Sequence, residues 1–161
     1  MLRVYRRNER SIQRVESLSE LDSLDDVIWI DLQSPTEEQE TEIEQQFRVL
    51  FLSEQEQSEI ESSSRYNETA DRIVANSNFL KIHKGEHINS PVTFILKGST
   101  LFTYREDDLR TFAETVKKIK QNTGLCQTAA QVLIAIFETR IDQDADLIEN
   151  ISKEVSGISK E

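Results

Sequence analysis

At 161 residues, with 37% hydrophobic and 30% charged residues, the chain suits one soluble globular domain that buries a real core without disulfides or structural metals. Its net charge of −11 disfavours nucleic acid, which needs a basic footprint, and raises the local concentration of cations, divalent metal ions included. The single cysteine, Cys126, has no internal disulfide partner, which indicates a reducing compartment.

The opening "MLRVYRRNERSIQR" has no apolar run and is not read as a signal peptide. It holds five arginines, Arg3, Arg6, Arg7, Arg10 and Arg14, against Glu9 alone. Within it, "LRVYRR" and "SIQRV" alternate in polarity around "NER", which predicts a β-hairpin. Residues 16–61 reverse the charge, with fifteen acids against Arg48 alone. "VIWIDL" at 27–32 is a continuous apolar run of the kind found in buried central strands, with Trp29 assigned to the core. Ser34-Pro35-Thr36-Glu37 then signals a helix start, with Ser34 as cap, Pro35 at the first helical position and Glu37 completing a capping box. That helix puts Ile43 and Phe47 on one face, and a second short helix is predicted from Ser53.

Strand character returns in "RIVANSNFLKI", "PVTFILKG" and "LFTYRE", with Gly85, Gly98 and Ser99 in the turns. "DDLRTFAETVKKIKQNTG" predicts an amphipathic helix with acids at the front, lysines at the back and Gly124 past its end. From Thr128 the pattern is helical to the last residue. The longest apolar run there, "VLIAIF" at 132–137, falls far short of the roughly 18 residues of a membrane span. Ile134, Phe137, Ile141, Asp144, Ile148, Ile151, Val155 and Ile158 follow heptad spacing, which implies a partner helix in this molecule or another. A pattern without a stop signal suggests a chain that continues. The expected fold is α/β (α+β) with a mixed sheet: a domain over 1–125 and, over 126–161, the start of a long helix.

Two motifs suggest metal chemistry. "HKGEH" at 83–87 spells the inverted zinc-peptidase signature, which needs a helix to align its histidines. Gly85 sits inside it and predicts a hairpin turn at Lys84-Gly85 that sets His83 opposite Glu86. A third histidine is lacking, so the hydrolase reading is rejected. Asp142, Asp144 and Asp146 imitate the start of a calcium loop, but Leu147 and Lys153 stand where its glycine and bidentate glutamate belong. No Gly-rich phosphate loop is present, and no enzyme constellation emerges.

Taken in order, "WIDLQSPTEEQETEIEQQF", "EIESSSRYNETADRIVANSNFLKI", "SPVTFILKGSTLFTYRE" and "AAQVLIAIFETRIDQDADLIENISKEV" resemble the cytoplasmic N-terminal domain of the CorA family of divalent-cation transporters. The resemblance implies an α/β/α sandwich followed by a stalk helix leading to membrane spans and a Gly-Met-Asn pore signature beyond Glu161. It further implies five subunits forming a funnel at the cytoplasmic face of the inner membrane, with magnesium bound between neighbouring domains holding the pore shut. The membrane would be reached only through that further segment. Magnesium, cobalt, nickel and zinc branches of the family share such a domain. By position, Glu86, Glu138 and Asp142 are the candidate metal-facing carboxylates. The alternative is a stand-alone soluble module that binds a partner through its terminal heptad helix.

Overall fold

The computed structural model describes residues 1–9, 11–51, 66–122 and 124–158; the helix predicted from Ser53 lies outside them. Seven strands, β1 (Leu2–Asn8), β2 (Ser11–Val15), β3 (Val27–Gln33), β4 (Tyr66–Glu68), β5 (Arg72–His83), β6 (Glu86–Lys97) and β7 (Thr100–Arg105), form one sheet in the order β2-β1-β3-β7-β6-β5-β4. The β3–β7 pair is parallel and every other pair antiparallel, so the sheet is mixed as expected. The parallel pair lies at the centre, where both faces are covered: every residue from Val27 to Leu32 is buried.

Helix α1 (Glu37–Phe47) covers one face, placing Ile43 and Phe47 over Val4, Ile30, Leu32, Ile95 and Phe102. Helices α2 (Arg110–Gln121) and α3 (Ala129–Ile158) cover the other face. There Phe112, Ile119, Val132 and Ile136 pack with Trp29, Phe79, Phe94 and Leu101. This is the expected α/β/α sandwich, with the core split into two layers by the sheet.

Helix α1 starts two residues later than its signal suggested. Thr36 is the cap: its Oγ1 accepts from the Gln39 amide at 3.3 Å, and Gln39 Oε1 accepts from the Thr36 amide at 3.2 Å. Ser34 is used elsewhere. It adopts a positive φ of 39°, its amide donates to the Arg105 carbonyl at 2.9 Å, and its Oγ donates to that of Glu106 at 2.7 Å. Ser34 thus ties the ends of β3 and β7 together, which leaves Pro35 outside the helix. The front of α2 also differs: Asp107 and Asp108 precede the helix, and Leu109 caps it without a side-chain hydrogen bond.

Helix α3 begins after Thr128, whose Oγ1 accepts from the Gln131 amide at 3.2 Å. Ala129, Val132, Ala135, Ile136 and Thr139 are buried against the sheet and α2, and from Ile148 to Ile158 every residue is exposed. The heptad stripe faces away from this core. Ile134, Ile141, Ile148, Ile151, Val155 and Ile158 are between 49% and 76% exposed, whereas Phe137 and Asp144 turn towards the domain and are half-buried. No helix among the described residues is long and apolar enough to cross a membrane.

Candidate functional site

The β5–β6 hairpin turns at Lys84 and Gly85, with φ of 51° and 84°, so both central residues occupy the left-handed region that a tight two-residue turn requires. His83 pairs with Glu86 and Ile82 with His87, as the turn predicted. The HKGEH segment is therefore strand and turn, and the helical geometry of a zinc peptidase is absent. Glu86 is exposed at the hairpin tip and engages no ion pair or hydrogen bond among the described residues.

The other two candidates sit one turn apart on the outer surface of α3, and both are exposed. Glu138 lies close enough to Cys126 for its charge to add to burial, the larger cause, in pushing the thiol up to about 11. A thiol so shifted is protonated at neutral pH and inert, which accords with its buried position and its long contact to the Gln131 carbonyl at 3.6 Å. Asp142 accepts from Lys118 Nζ on α2 at 2.8 Å, an exposed pair that water screens and that contributes little to stability. Among the described residues, no group of three or more His, Cys, Asp and Glu is placed to hold a metal ion. Among the described residues, Glu86, Glu138 and Asp142 thus stand as separate exposed carboxylates.

Between the hairpin, the start of α2 and the outer part of α3 lies a cleft of ≈ 420 Å³ lined by His87, Asp108, Arg110, Arg140, Asp144 and Asp146, among others. Its charges are mixed. Arg140 is engaged with Asp144 at 3.3 Å, donates to Ser77 Oγ at 2.5 Å, and lies over the Phe79 ring at 4.8 Å. This arginine holds α3 to β5 and does not present a free cation to the cleft.

Sequence reasoning missed a buried ion-pair cluster among the described residues. Asp31 on β3, 2% exposed, accepts from Arg105 Nε at 3.0 Å and Nη2 at 2.8 Å, from Arg3 Nη1 at 2.9 Å, and from Thr103 Oγ1 at 2.9 Å. Trp29 Nε1 donates to the same Thr103 Oγ1 at 3.0 Å, and the Arg105 guanidinium stacks on Phe112 at 4.3 Å. Each strand contributes through its register: Arg3 pairs with Asp31, and Asp31 with Thr103. The available signal was one acid and one arginine near the ends of two otherwise apolar strands, since a charge inside such a run has to be paired.

With this geometry in hand, comparison with known proteins is informative. A family profile described as "CorA-like Mg2+ transporter protein" matches residues 25–161. The chain is 34% identical to the Magnesium transport protein CorA of Wolinella succinogenes, over 98% of this chain and 51% of that protein. It is 30% identical to its counterpart in Yersinia pseudotuberculosis, over 99% of this chain and again 51% of the relative. The chain thus spans about half the length of the curated relatives it matches. Among solved structures, the complete CorA magnesium transporter of Methanocaldococcus jannaschii superposes with a TM-score of 0.77 at 15% identity, covering 99% of this chain and 50% of that one. The full-length CmaX protein superposes with a TM-score of 0.73 at 16% identity, covering 98% and 50%. At such identities these two likenesses speak for the fold alone.

Proposed function

Because the chain belongs to the CorA-like Mg2+ transporter family, we propose that it is the cytoplasmic regulatory, metal-sensing domain of a magnesium or related divalent-cation transporter. In this reading the chain does not transport by itself, and residues from 126 onward are the start of a stalk that leads to the membrane. Copies assemble as a homo-oligomer, a pentamer by the family resemblance, and magnesium binds where the carboxylates of neighbouring copies meet. The observation that carries this reading is the combination on α3 and the hairpin. Among the described residues Glu86 and Glu138 are exposed and without ion pairs, no group of three ligands is supplied by one copy, and the Ile stripe of α3 stays exposed. A weak site of this kind becomes complete only on association, so metal and assembly stabilise each other.

The test is limited proteolysis of the chain with and without millimolar magnesium. Magnesium is expected to protect the wild type, and Glu86→Ala is expected to lose most of that protection while keeping its fold. Protection that persists unchanged in the variant would remove Glu86 from the site.

The exposed stripe also supports the second reading, a module that docks a partner helix without metal. Ile148→Glu puts a charge in the middle of the stripe and is expected to abolish self-association in sedimentation experiments under either reading. The two separate on the wild type. Association that strengthens with magnesium supports the sensor, and association indifferent to magnesium supports the module.

A further inference from the structure

On the sheet face beneath α2, next to the Asp31 cluster, a cavity of ≈ 280 Å³ lies between β1, β2 and α2. Helix α2 lines it with Phe112, Ala113, Val116 and Lys120. Its lining runs against the charge of the whole molecule. Four cationic side chains, Arg3, Arg14, Arg105 and Lys120, face two carboxylates, Asp31 and Asp108, in a protein of net charge −11. Asp31 is already shared by Arg3 and Arg105, and Asp108 reaches Arg105 only at 3.9 Å from an exposed position. Lys120 makes no ion pair among the described residues, and Arg14 has only the exposed Glu16, at 3.9 Å.

Tyr5 points to the same place. It is 3% exposed, held by stacking on Trp29 with ring centroids 4.6 Å apart, and it lines the cavity. Its hydroxyl makes no hydrogen bond among the described residues and is not sealed from solvent, so it is available at the cavity wall. Arg3, Arg14 and Arg105 lie near enough for their charges to favour the ionised phenol; burial, the largest cause, and Asp31 prevail and raise its pKa. The register explains the convergence, since Tyr5 pairs with Arg14 on one side and with Trp29 on the other, while Arg3 pairs with Asp31.

We infer that this cavity is a binding site for a small phosphate-type oxyanion, held by Arg14, Lys120 and Arg3 and hydrogen-bonded by the Tyr5 hydroxyl. Guanidiniums and a phenol donor suit phosphate oxygens, and the floor of the cavity is prearranged by the buried Asp31–Arg105 pair while Arg14 and Lys120 stand at its exposed rim. The volume accommodates a diphosphate. Arg105, locked onto Asp31, shapes the wall and contributes its charge. The site is independent of the metal reading, because it shares no residue with Glu86, Glu138 or Asp142.

The experiment is isothermal titration of the 161-residue chain, free of magnesium and at constant ionic strength, with sodium pyrophosphate and in parallel with ADP. Saturable one-to-one binding is expected. Arg14→Glu combined with Lys120→Glu, both at exposed positions, is expected to weaken it at least tenfold, and Tyr5→Phe, which keeps the stack on Trp29, about three- to tenfold. Equal affinities would identify the free diphosphate as the ligand, and tighter binding of ADP a nucleotide. Absence of saturable heat, or affinity unchanged in the charge-reversed pair while its melting temperature stays that of the wild type, would overturn the inference.

Discussion

Asp31→Ala is expected to lower unfolding stability by about 3–5 kcal/mol, enough to leave many domains of this size partly unfolded at room temperature. The size of the effect comes from what remains behind. Arg105 is 1% exposed and Arg3 19% exposed at their side chains, and Asp31 is the carboxylate that both of them contact most closely. Removing it leaves a buried guanidinium with the Asp107 carbonyl, the face of Phe112 and, at 3.9 Å, the Asp108 carboxylate, which is 81% exposed and screened by water. Thr103 Oγ1 loses its acceptor as well, although it keeps the bond from Trp29. Asp31→Asn preserves shape and one acceptor oxygen, and its loss is expected to fall between wild type and alanine. Urea denaturation of the three proteins measures this. A loss under about 1 kcal/mol for alanine would mean that water enters to solvate Arg105, and that the cluster is less dry than its geometry implies.

The second large effect is expected from Phe79→Ala. The ring is 1% exposed and meets Phe94 at 5.9 Å, Phe112 at 5.9 Å and Phe137 at 6.1 Å, with Arg140 stacked on it at 4.8 Å. One residue on β5 thereby joins β6, α2 and α3. Truncation is expected to cost about 3–5 kcal/mol from lost transfer energy and the cavity left behind. The loss has a direction, because Phe137 and Arg140 both belong to the attachment of α3. Hydrogen exchange is therefore expected to accelerate most at α3 amides between Ala129 and Asp144, and least in α1 on the opposite face. Uniform acceleration would show that α3 unfolds only with the whole domain and has no separate stability.

These two residues also mark where the sequence was legible. The hairpin of β1 and β2, the buried strand β3 and the Lys84-Gly85 turn were readable because each signal is local: alternation, an apolar run, a glycine between two strand-like segments. The order of these elements along the chain then carried the family resemblance, and with it the sandwich. The pairing of Asp31 with Arg105 spans 74 residues and depends on a parallel register that no spacing rule encodes. The shift of the cap from Ser34 to Thr36 has the same origin, since the partners that claim Ser34 lie on β7. Periodicity found the stripe on α3 correctly but did not say which of the helix's two apolar faces meets the sheet. The run "VLIAIF" is apolar all round, and Val132 and Ile136 won the interior over Ile134 through contact with a layer that the helix itself does not specify. The candidate carboxylates were placed by position alone, and the structure shows all three exposed.

The uneven anchoring of α3 makes it a lever. Its fulcrum lies where the aromatic cluster and Arg140 grip it, and the fully exposed stretch from Ile148 to Ile158 is an arm of about 16 Å at 1.5 Å per residue. Measured from Arg140, the whole arm to Ile158 is about 27 Å, so a rocking of about 10° there would carry the tip by about 5 Å, comparable to the one-turn displacements by which packed interfaces switch. Any small adjustment in how β5 and α2 pack would therefore be geared up at the far end, because a continuous helix from Ala129 to Ile158 turns a change of angle into a displacement that grows with distance from the grip.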